Sequence, residues 1–347
     1  MTFRIAEFYS GIGGMHYAWL ETGLPGEVVK SFEINTFANS VNQHNFPQAN
    51  ICQRLIESNP IELYQKMAAD VFLMSPPCQP YTRTGNQKGS EDPRTRSFLF
   101  LLDMVGPTTG ILPKYILIEN VVGFEVSDTH DMTLARLNEL NYTVEEFIIN
   151  PLELGIPNSR SRYYLLAKLA PLTFSGELPP YIRRLNEDSR QVPTASCPPP
   201  QSLGDFLGRS RMADPKIWAQ YRLSDTTRQK RLQVMDVVTA DSRGSCCFTK
   251  GYAHFAEGTG SVLQCANPEG KNEAGRDDPS TTSATADTAA ATYRYFTEYE
   301  IARLMGFPLD RFAFPDPITR KQRYRLLGNS LNVTVVAMLL RYLMKDD

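Results

Sequence analysis

The chain has 347 residues, of which 42% are hydrophobic, and its formal net charge is −2. These values are typical of a globular protein with one large core or two domains. We expect neither a membrane-spanning segment nor a signal peptide, because no apolar run is long enough and the N-terminus leads directly into strand-like sequence. The near-neutral charge excludes a broadly cationic surface, so a nucleic acid would have to contact local basic clusters.

The six cysteines predict neither a metal site nor a disulfide framework. They lie at positions 52, 78, 197, 246, 247 and 265, and no two of them form a Cys-x-x-Cys pair. Structural zinc sites and secreted disulfide scaffolds both depend on more regular spacing. We therefore expect no metal and a reducing compartment, with the protein in the cytoplasm and also in the nucleus.

The N-terminal segment is typical of a nucleotide-binding α/β unit. Residues 3–9 predict a strand, and the turn Ser10-Gly11-Ile12-Gly13-Gly14 leads into a helix over about 15–21. A second strand over 28–32 ends in Glu33, about 20 residues after the glycines, where an acid can bind ribose hydroxyls. Together these features favour an adenosine-containing cofactor. A turn without a ligand and a surface carboxylate are the alternative interpretations.

Cys78 is a candidate nucleophile. Residues 71–74 predict a buried strand, and the stretch Ser75-Pro76-Pro77-Cys78-Gln79-Pro80 follows it directly. The prolines stiffen the backbone around the thiol, and a cysteine on a rigid loop at a strand end is well placed for nucleophilic attack. The alternative is a buried structural cysteine.

A further strand over 115–118 ends in Glu119, so that Glu33, Cys78 and Glu119 all follow predicted strands. In an open parallel sheet, sites are built at the carboxyl ends of the strands. We therefore expect these three side chains to share one site.

The polar residues 84–97 predict a loop, which is either a mobile cover over that site or an ordinary solvated loop. Four basic residues lie in or beside it and could contact a phosphate backbone. They are Arg83, Lys88, Arg94 and Arg96.

Residues 144–149 and 162–168 predict an antiparallel pair of strands. The turn between them brings Arg160 and Arg162 to the start of the second strand, and alternation would place both on one face. Two surface arginines are the alternative interpretation.

After residue 170 the proline clusters and weak periodicity predict a small irregular domain, with a disordered loop at about 266–292. Compact sequence returns at Thr297, which caps a helix with Glu300 in capping-box spacing. An apolar helix over about 331–344 is expected to pack beside the glycine turn. The candidate phosphate contacts, each also compatible with a merely solvated side chain, are Arg183, Arg184, Lys230, Arg231 and the basic cluster at 320–325.

Several motifs, taken in order, resemble those of the cytosine-5 methyltransferases. They are Phe8-Tyr9-Ser10-Gly11-Ile12-Gly13-Gly14, the Cys78 stretch, Glu119-Asn120-Val121, Arg160-Ser161-Arg162 and Gly328-Asn329-Ser330. A further stretch, Cys247-Phe248-Thr249-Lys250-Gly251-Tyr252, followed by Glu257-Gly258-Thr259-Gly260-Ser261, is similar to the tRNA branch of that family. That branch methylates cytosine-38 in the anticodon loop of tRNA(Asp).

The resemblance implies an α/β, Rossmann-like methyltransferase fold that depends on S-adenosylmethionine. We expect a catalytic domain over 1–168 and 294–347, with a smaller target-recognition domain, 169–293, inserted in it. A monomer is expected, with tRNA, in particular tRNA(Asp), as partner. The implied cofactor is S-adenosyl-L-methionine, held by Ile12, Gly13, Gly14, Glu33, Ile34, Leu55, Ile56, Ser75 and Ser330.

The resemblance also implies catalytic roles. Cys78 would be the nucleophile, with Glu119, Arg160 and Arg162 around the target base. The arginines could increase the thiolate fraction of Cys78, and Glu119 would need a raised pKa, which burial can supply.

The sequence departs from the family pattern at three places. Glu33 stands where relatives often carry aspartate, and residues 50–56 lack the aspartate that DNA-acting relatives use near the adenine. Val122 replaces a lysine common in the tRNA branch.

Three other interpretations remain at this stage. A DNA cytosine-5 methyltransferase would use identical chemistry, whereas a catalytically silent nucleic-acid-binding relative would not need all four catalytic candidates. An NAD-dependent dehydrogenase fits least well, because hydride transfer has no use for a Pro-Pro-Cys-Gln loop.

Overall fold

The computed structural model of the chain describes residues 2–79, 81, 89–185, 196–208, 214–265 and 292–345. Arg83 and Lys88 lie outside these ranges, as does the predicted disordered loop up to residue 291. Those expectations stay predictions.

The main sheet has seven strands in the order β3-β2-β1-β4-β5-β7-β6. The first five strands are parallel, whereas β7 runs antiparallel to both of its neighbours. The predicted antiparallel pair is therefore confirmed as β6 and β7. The strands are β1 (Phe3–Phe8), β2 (Gly26–Phe32), β3 (Ile51–Cys52), β4 (Val71–Met74), β5 (Tyr115–Val121), β6 (Tyr142–Ile149) and β7 (Arg162–Leu169).

A helix follows each of the five parallel strands, as expected for crossover connections between parallel strands. The helices are α1 (Gly14–Thr22), α2 (Thr36–Asn45), α3 (Ile61–Met67), α4 (Arg96–Met104) and α5 (Asp128–Glu139). The predicted polar loop over 84–97 is wrong at its C-terminal end, because Arg96 begins α4. A short 3₁₀ turn, Pro93–Thr95, precedes α4, and the side chain of Asp92 caps it by accepting a hydrogen bond from the amide of Arg94.

Both faces of the sheet are buried, which confirms the α/β class. Alternate residues of β1 point to opposite faces, so Ile5 packs with α1 and α2 while Phe8 packs with α3 and α4. Every residue of β4 is buried in the same way. Continuous burial explains why the central strands appear in the sequence as unbroken apolar runs.

A second, three-stranded sheet has the order β10-β9-β8. Its strands are β8 (Asp236–Val238), β9 (Ser261–Cys265) and β10 (Thr292–Tyr295), and two short helices lie before it, α6 (Pro215–Tyr221) and α7 (Asp225–Arg231). The last strand crosses the predicted domain boundary at residue 293. The division into two domains stays a prediction.

Three helices complete the fold: α8 (Glu298–Leu304), α9 (Arg320–Gly328) and α10 (Val333–Leu343). Thr297 and Glu300 form the predicted capping box at the start of α8. The apolar helix α10 packs against α1, beside the glycine turn, as predicted. A Cβ atom on Gly14 would lie 3.1 Å from Cγ of Leu331, so glycine allows this close approach.

Within the described ranges, one helical stretch, Arg320–Leu343, is long and apolar enough to cross a membrane, whereas the sequence analysis expected none. Most of its apolar part (67%) is buried inside the protein. It contains α9 and α10, and its apolar face forms part of the core around α1.

The buried ion pair of Arg294 and Glu300 joins the second sheet to α8. Two hydrogen bonds of 2.7 and 2.8 Å connect the guanidinium and carboxylate, and Glu300 also accepts from the amide of Gly208 at 3.0 Å. Glu300→Ala would leave a buried guanidinium without its partner, so we expect the free energy of unfolding to fall by about 3–5 kcal/mol.

The matched control is Glu139→Ala, which removes a surface partner of Arg136 and should change the free energy of unfolding by less than about 1 kcal/mol. Urea denaturation of both variants measures the difference. Equal losses would contradict a structural role for the buried pair.

Candidate active site

A cavity of about 550 Å³ opens at the carboxyl ends of β1, β2, β4 and β5. The segment after α9 closes one side of it through Gly328, Ser330 and Leu331. Its position is the usual one for a ligand site in an open α/β sheet.

Nearly all of the predicted site residues line this one cavity. From the catalytic set these are Cys78, Glu119, Arg160 and Arg162, and from the cofactor set they are Ile12, Gly14, Glu33, Ile34, Leu55, Ile56, Ser75 and Ser330. Gly13 does not line it. Its backbone has a φ of 83°, and a Cβ atom there would lie 2.9 Å from the ring of Phe46, so Gly13 is required by the turn and by packing.

The glycine turn and Glu33 hold each other in place. The carboxylate of Glu33 accepts hydrogen bonds from the amide of Gly11 at 3.0 Å and from the amide of Asn35 at 2.8 Å. Burial raises the pKa of Glu33, and these backbone donors oppose the shift. An oriented pair of acceptor oxygens therefore faces the cavity beside the turn, which is what recognition of a ribose diol requires.

The rim of the cavity near Glu33 combines exposed apolar groups with one half-buried acid. Ile34 and Leu55 are 60% and 53% exposed, although both are large and apolar. The nearby Oε2 atom of Glu57 is buried and has no hydrogen-bond partner within the described part of the chain. A flat heteroaromatic ring with an amino donor would cover the apolar groups and satisfy this oxygen.

Residues 50–56 lack the aspartate that DNA-acting relatives use near the adenine, and Glu57, directly after them, was not predicted as a site residue. The signal for it was weak, since an acid in a short polar segment is usually solvated.

The opposite end of the cavity contains Cys78, Glu119 and Arg162. Nε of Arg162 lies 3.4 Å from Oε1 of Glu119, and both side chains are largely buried. Burial raises the pKa of Glu119, while Arg162, Arg160 and a hydrogen bond from Ser75 oppose the increase. The net direction is the one that a carboxyl group needs to retain or share a proton near neutral pH.

Arg160 lines the cavity, but it does not share a strand face with Arg162 in the way that the predicted alternation implied. The residue is 4% exposed, and its guanidinium group donates to the backbone carbonyls of Phe248, Gly328 and Ser330. It also lies 3.4 Å from Sγ of Cys247. The strand begins only at Arg162, so Arg160 belongs to the preceding turn and alternation does not apply to it. Arg162 is the better placed of the two to contact a ligand at Cys78.

The two thiols near the arginines differ in their acidity. Burial and the carboxyl group of Glu119 raise the pKa of Cys78, and Arg162 only partly offsets them. Burial also acts to raise the pKa of Cys247, but Arg160 and Arg162 outweigh it and the net pKa lies below the ordinary thiol value. Arg162 thus acts on Cys78 in the expected direction, but burial and Glu119 outweigh it, so the net pKa of Cys78 is raised in the protein alone.

The segment that contains Cys247 is firmly attached to the main sheet. The side-chain amide of Asn158 donates to Oγ of Ser245 at 3.1 Å and to the carbonyl of Cys246 at 3.0 Å. Further along, a Cβ atom on Gly328 would lie 2.2 Å from the amide nitrogen of Lys250. The backbone at Gly328 is thus in direct contact with the backbone at Lys250, which lies in the connection between β8 and β9.

Several residues that line the cavity were not predicted from the sequence, each for a different reason. Glu7 lies inside the apolar strand β1, and Ser97 lies in the region assigned to a loop. Tyr9 has a left-handed backbone with a φ of 59°, and its hydroxyl donates to Oγ of Ser97 at 2.9 Å. Such strained residues concentrate at functional sites.

A thiol at a strand end, with a buried carboxylic acid and a guanidinium group around it, is the arrangement of a group-transfer enzyme that uses a cysteine nucleophile. Comparison with known proteins gives the family. The model described as C-5 cytosine-specific DNA methylase matches residues 3–345, and the chain belongs to this family. The predictions of family, of a Rossmann-like methyltransferase fold and of methyltransferase activity are confirmed.

Similar proteins align along nearly the whole chain. A tRNA (cytosine(38)-C(5))-methyltransferase of Mus musculus is 39% identical, over 98% of this chain and 93% of its own length. A DNA (cytosine-5)-methyltransferase of Dictyostelium discoideum is 35% identical, over 99% and 95%. The crystal structure of a Spodoptera frugiperda DNMT2 mutant has a TM-score of 0.79 and 37% identity, covering 99% of this chain and 100% of that one.

The opposite shifts of the two thiols predict an order of reactivity. In the protein alone, iodoacetamide at pH 7.5 should modify Cys247 faster than Cys78, by about threefold for each unit by which their pKa values differ, because the more abundant thiolate is also the less nucleophilic one. Mass spectrometry of the cysteine-containing peptides at short reaction times measures both rates. Faster labelling of Cys78 would contradict the assignment.

Proposed function

We propose that the protein transfers a methyl group from S-adenosylmethionine to carbon 5 of a cytosine in the anticodon loop of tRNA, namely cytosine-38 of tRNA(Asp). The observation that carries this proposal is the convergence of Cys78, Glu119 and Arg162 at one end of the cavity that begins at the glycine turn. Full-length similarity to enzymes named as tRNA (cytosine(38)-C(5))-methyltransferases supports the choice of substrate.

The residues at the other end of the cavity suit the cofactor. Glu33 offers two acceptors for ribose hydroxyls, Ile34 and Leu55 would cover the faces of an adenine, and Glu57 would accept from its amino group. When bound, S-adenosylmethionine supplies an electrophilic methyl group on a sulfonium. The turn at Ser330, which Arg160 holds, closes this side of the cavity.

Cys78 activates the base. Carbon 5 of cytosine is a poor nucleophile, but bonding of Sγ of Cys78 to carbon 6 converts the ring into an enamine that is nucleophilic at carbon 5. The pKa of Cys78 is raised in the protein alone, so its proton must leave as the cytosine enters. A raised thiol pKa preserves intrinsic nucleophilicity and limits reaction before the substrate arrives.

Glu119 and Arg162 stabilise charge as the adduct forms. A protonated or proton-sharing Glu119 donates to ring nitrogen 3 and offsets the negative charge that the thiolate brings. Arg162, 3.4 Å from Glu119, donates to the exocyclic oxygen of the base. Removal of the proton at carbon 5 and expulsion of Cys78 complete the reaction.

An RNA loop is an easier substrate for this site than a duplex, because its bases are already partly unstacked. Lys230 and Arg231 on α7 and Lys321 on α9 are exposed and available for phosphates. Several other candidate phosphate contacts are engaged within the protein: Arg184 with Glu145, Arg320 with Gln220 and Tyr221, and Arg323 with Glu298.

The second candidate function is methylation of DNA, which the similarity to the Dictyostelium enzyme favours. Incubation with labelled S-adenosylmethionine and either total tRNA or duplex DNA separates the two. We expect incorporation into tRNA, mapped to cytosine-38, and incorporation only into DNA would overturn the proposal.

Removal of the Cys78 thiol should affect methyl transfer and not cofactor binding. Cys78→Ala should reduce methyl transfer by more than about 1,000-fold, because no other route activates carbon 5. Binding of S-adenosylhomocysteine, measured by calorimetry, should stay within about threefold of wild type, since the thiol is at the base end of the cavity. A variant that still turns over would refute the role of Cys78.

The two arginines predict different losses. Arg160→Lys should weaken S-adenosylhomocysteine binding by about tenfold, because a lysine cannot reach the carbonyls of Gly328 and Ser330 together. Arg162→Lys should leave that affinity nearly unchanged and lower kcat. Calorimetry and steady-state kinetics of both variants test this division, and equal effects on binding would contradict it.

A further inference from the structure

Glu7 is a buried acid that the reaction described above does not use. It lies near the C-terminal end of β1 and lines the cavity, yet the residue is only 1% exposed. Neither of its carboxyl oxygens makes a hydrogen bond of normal geometry within the described part of the chain. A buried and unpaired carboxyl group is costly in its ionised form, so the surroundings must either protonate it or supply a cation.

Among the residues that the structure describes, the groups that act on Glu7 supply partial charges but no cation. The backbone amides of Met15 and His16, at the start of α1, face the carboxyl group, as does the hydroxyl of Ser31 on β2. The carboxylate of Glu33 at the end of β2 repels a negative charge on Glu7. Burial lowers the pKa of the His16 imidazole to about 4, so that ring is neutral at physiological pH.

The neighbouring strand β4 contributes Leu73, which is apolar. Under these influences, with burial the largest, the pKa of Glu7 rises to about 8. Glu7 is therefore protonated at neutral pH in the protein alone. A positive charge in the cavity would reverse this balance, because it would compensate the ionised carboxylate while the amides of α1 already favour it.

We propose that Glu7 senses the charge of the bound cofactor: it holds a proton in the free protein and ionises when a sulfonium occupies the cavity. This inference rests on the proposed function, since it takes S-adenosylmethionine as the ligand. The proton passes from the Glu7 carboxyl group to solvent. After methyl transfer the sulfur is a neutral thioether, and Glu7 takes up a proton from solvent again.

The consequence is discrimination between cofactor and product. A carboxylate buried without a cation is unfavourable, so the site would bind the sulfonium more tightly than the thioether above neutral pH. Affinity for S-adenosylmethionine should rise by up to about tenfold per pH unit and level off near pH 8. S-adenosylhomocysteine carries the same amino group without the sulfonium, and it therefore serves as the matched control ligand.

Calorimetric titration at pH 7 in buffers of different ionisation enthalpy tests the proposal. For the wild type we expect close to one proton released per S-adenosylmethionine bound and clearly fewer for S-adenosylhomocysteine. Glu7→Gln should abolish this difference and reduce the preference for the sulfonium by about tenfold. Glu33→Gln is the control variant, and it should weaken both ligands alike.

Thermal unfolding without ligand provides a second measurement. Because the pKa of Glu7 is higher in the folded than in the unfolded chain, its contribution to stability is lost as pH rises from about 4.5 to 8. The Tm of Glu7→Gln, measured relative to that of the wild type, should therefore increase as the pH rises over this range.

The outcomes separate this inference from the function on which it rests. Equal proton release with the two ligands in the wild type, or release that persists in Glu7→Gln, would overturn the role of Glu7 while leaving the methyltransferase intact. Failure of both ligands to bind the wild type would overturn the cofactor assignment and this inference with it.

Discussion

The antiparallel pairing of β5 with β7 is the constraint on which the catalytic end of the site depends. This pairing places Val121 opposite Arg162, so that Glu119 is the diagonal neighbour of Arg162 across the two strands. The buried acid and the guanidinium group thus meet 3.4 Å apart without any loop having to position them. If β7 ran parallel to β5, the end of β5 would lie beside the end of β7 and not beside its start, where Arg162 is. Because the pair is part of the sheet, its geometry is as rigid as the core.

Arg160 connects this rigid pair to the more variable parts of the molecule. The four contacts of its guanidinium group lie on the connection between β8 and β9, at the end of α9 and on the turn that follows α9. A single buried guanidinium group therefore fixes the relative positions of the cofactor side, the thiol of Cys247 and the catalytic strands. Backbone carbonyls are its main partners, so these contacts do not depend on which side chains the residues at 248, 328 and 330 carry.

The features that were predictable from the sequence are those that local pattern determines. Cys78, Glu119 and Glu33 each follow a buried run that ends in turn residues, and parallel strands bring such ends together. Arg160 could be found by motif, but its role could not, because its partners at 328 and 330 are far away in the chain and are carbonyls that any residue provides. Glu7 could not be found at all, since an acid within an apolar strand gives no indication of what it faces. The start of α4 at Arg96 was missed because a polar first turn resembles a loop.

The resting state of the site and its reactive state differ mainly in protonation. Alone, the protein has raised pKa values at Cys78, Glu119 and Glu7, with burial as the largest cause at each, and this shift favours the neutral form of each group. In the proposed mechanism, binding of a cation and a pyrimidine removes the protons of Glu7 and Cys78, whereas Glu119 keeps or shares its proton. This division keeps the nucleophile unreactive until both ligands are present.

Covalent trapping tests the central claim most directly. An anticodon stem-loop RNA with 5-fluorocytosine at position 38 cannot lose the substituent at carbon 5, so the adduct should persist. We expect a complex that forms only with S-adenosylmethionine, has the mass of protein plus RNA plus one methyl group, and maps to Cys78. Absence of an adduct, or an adduct at Cys247, would contradict the account.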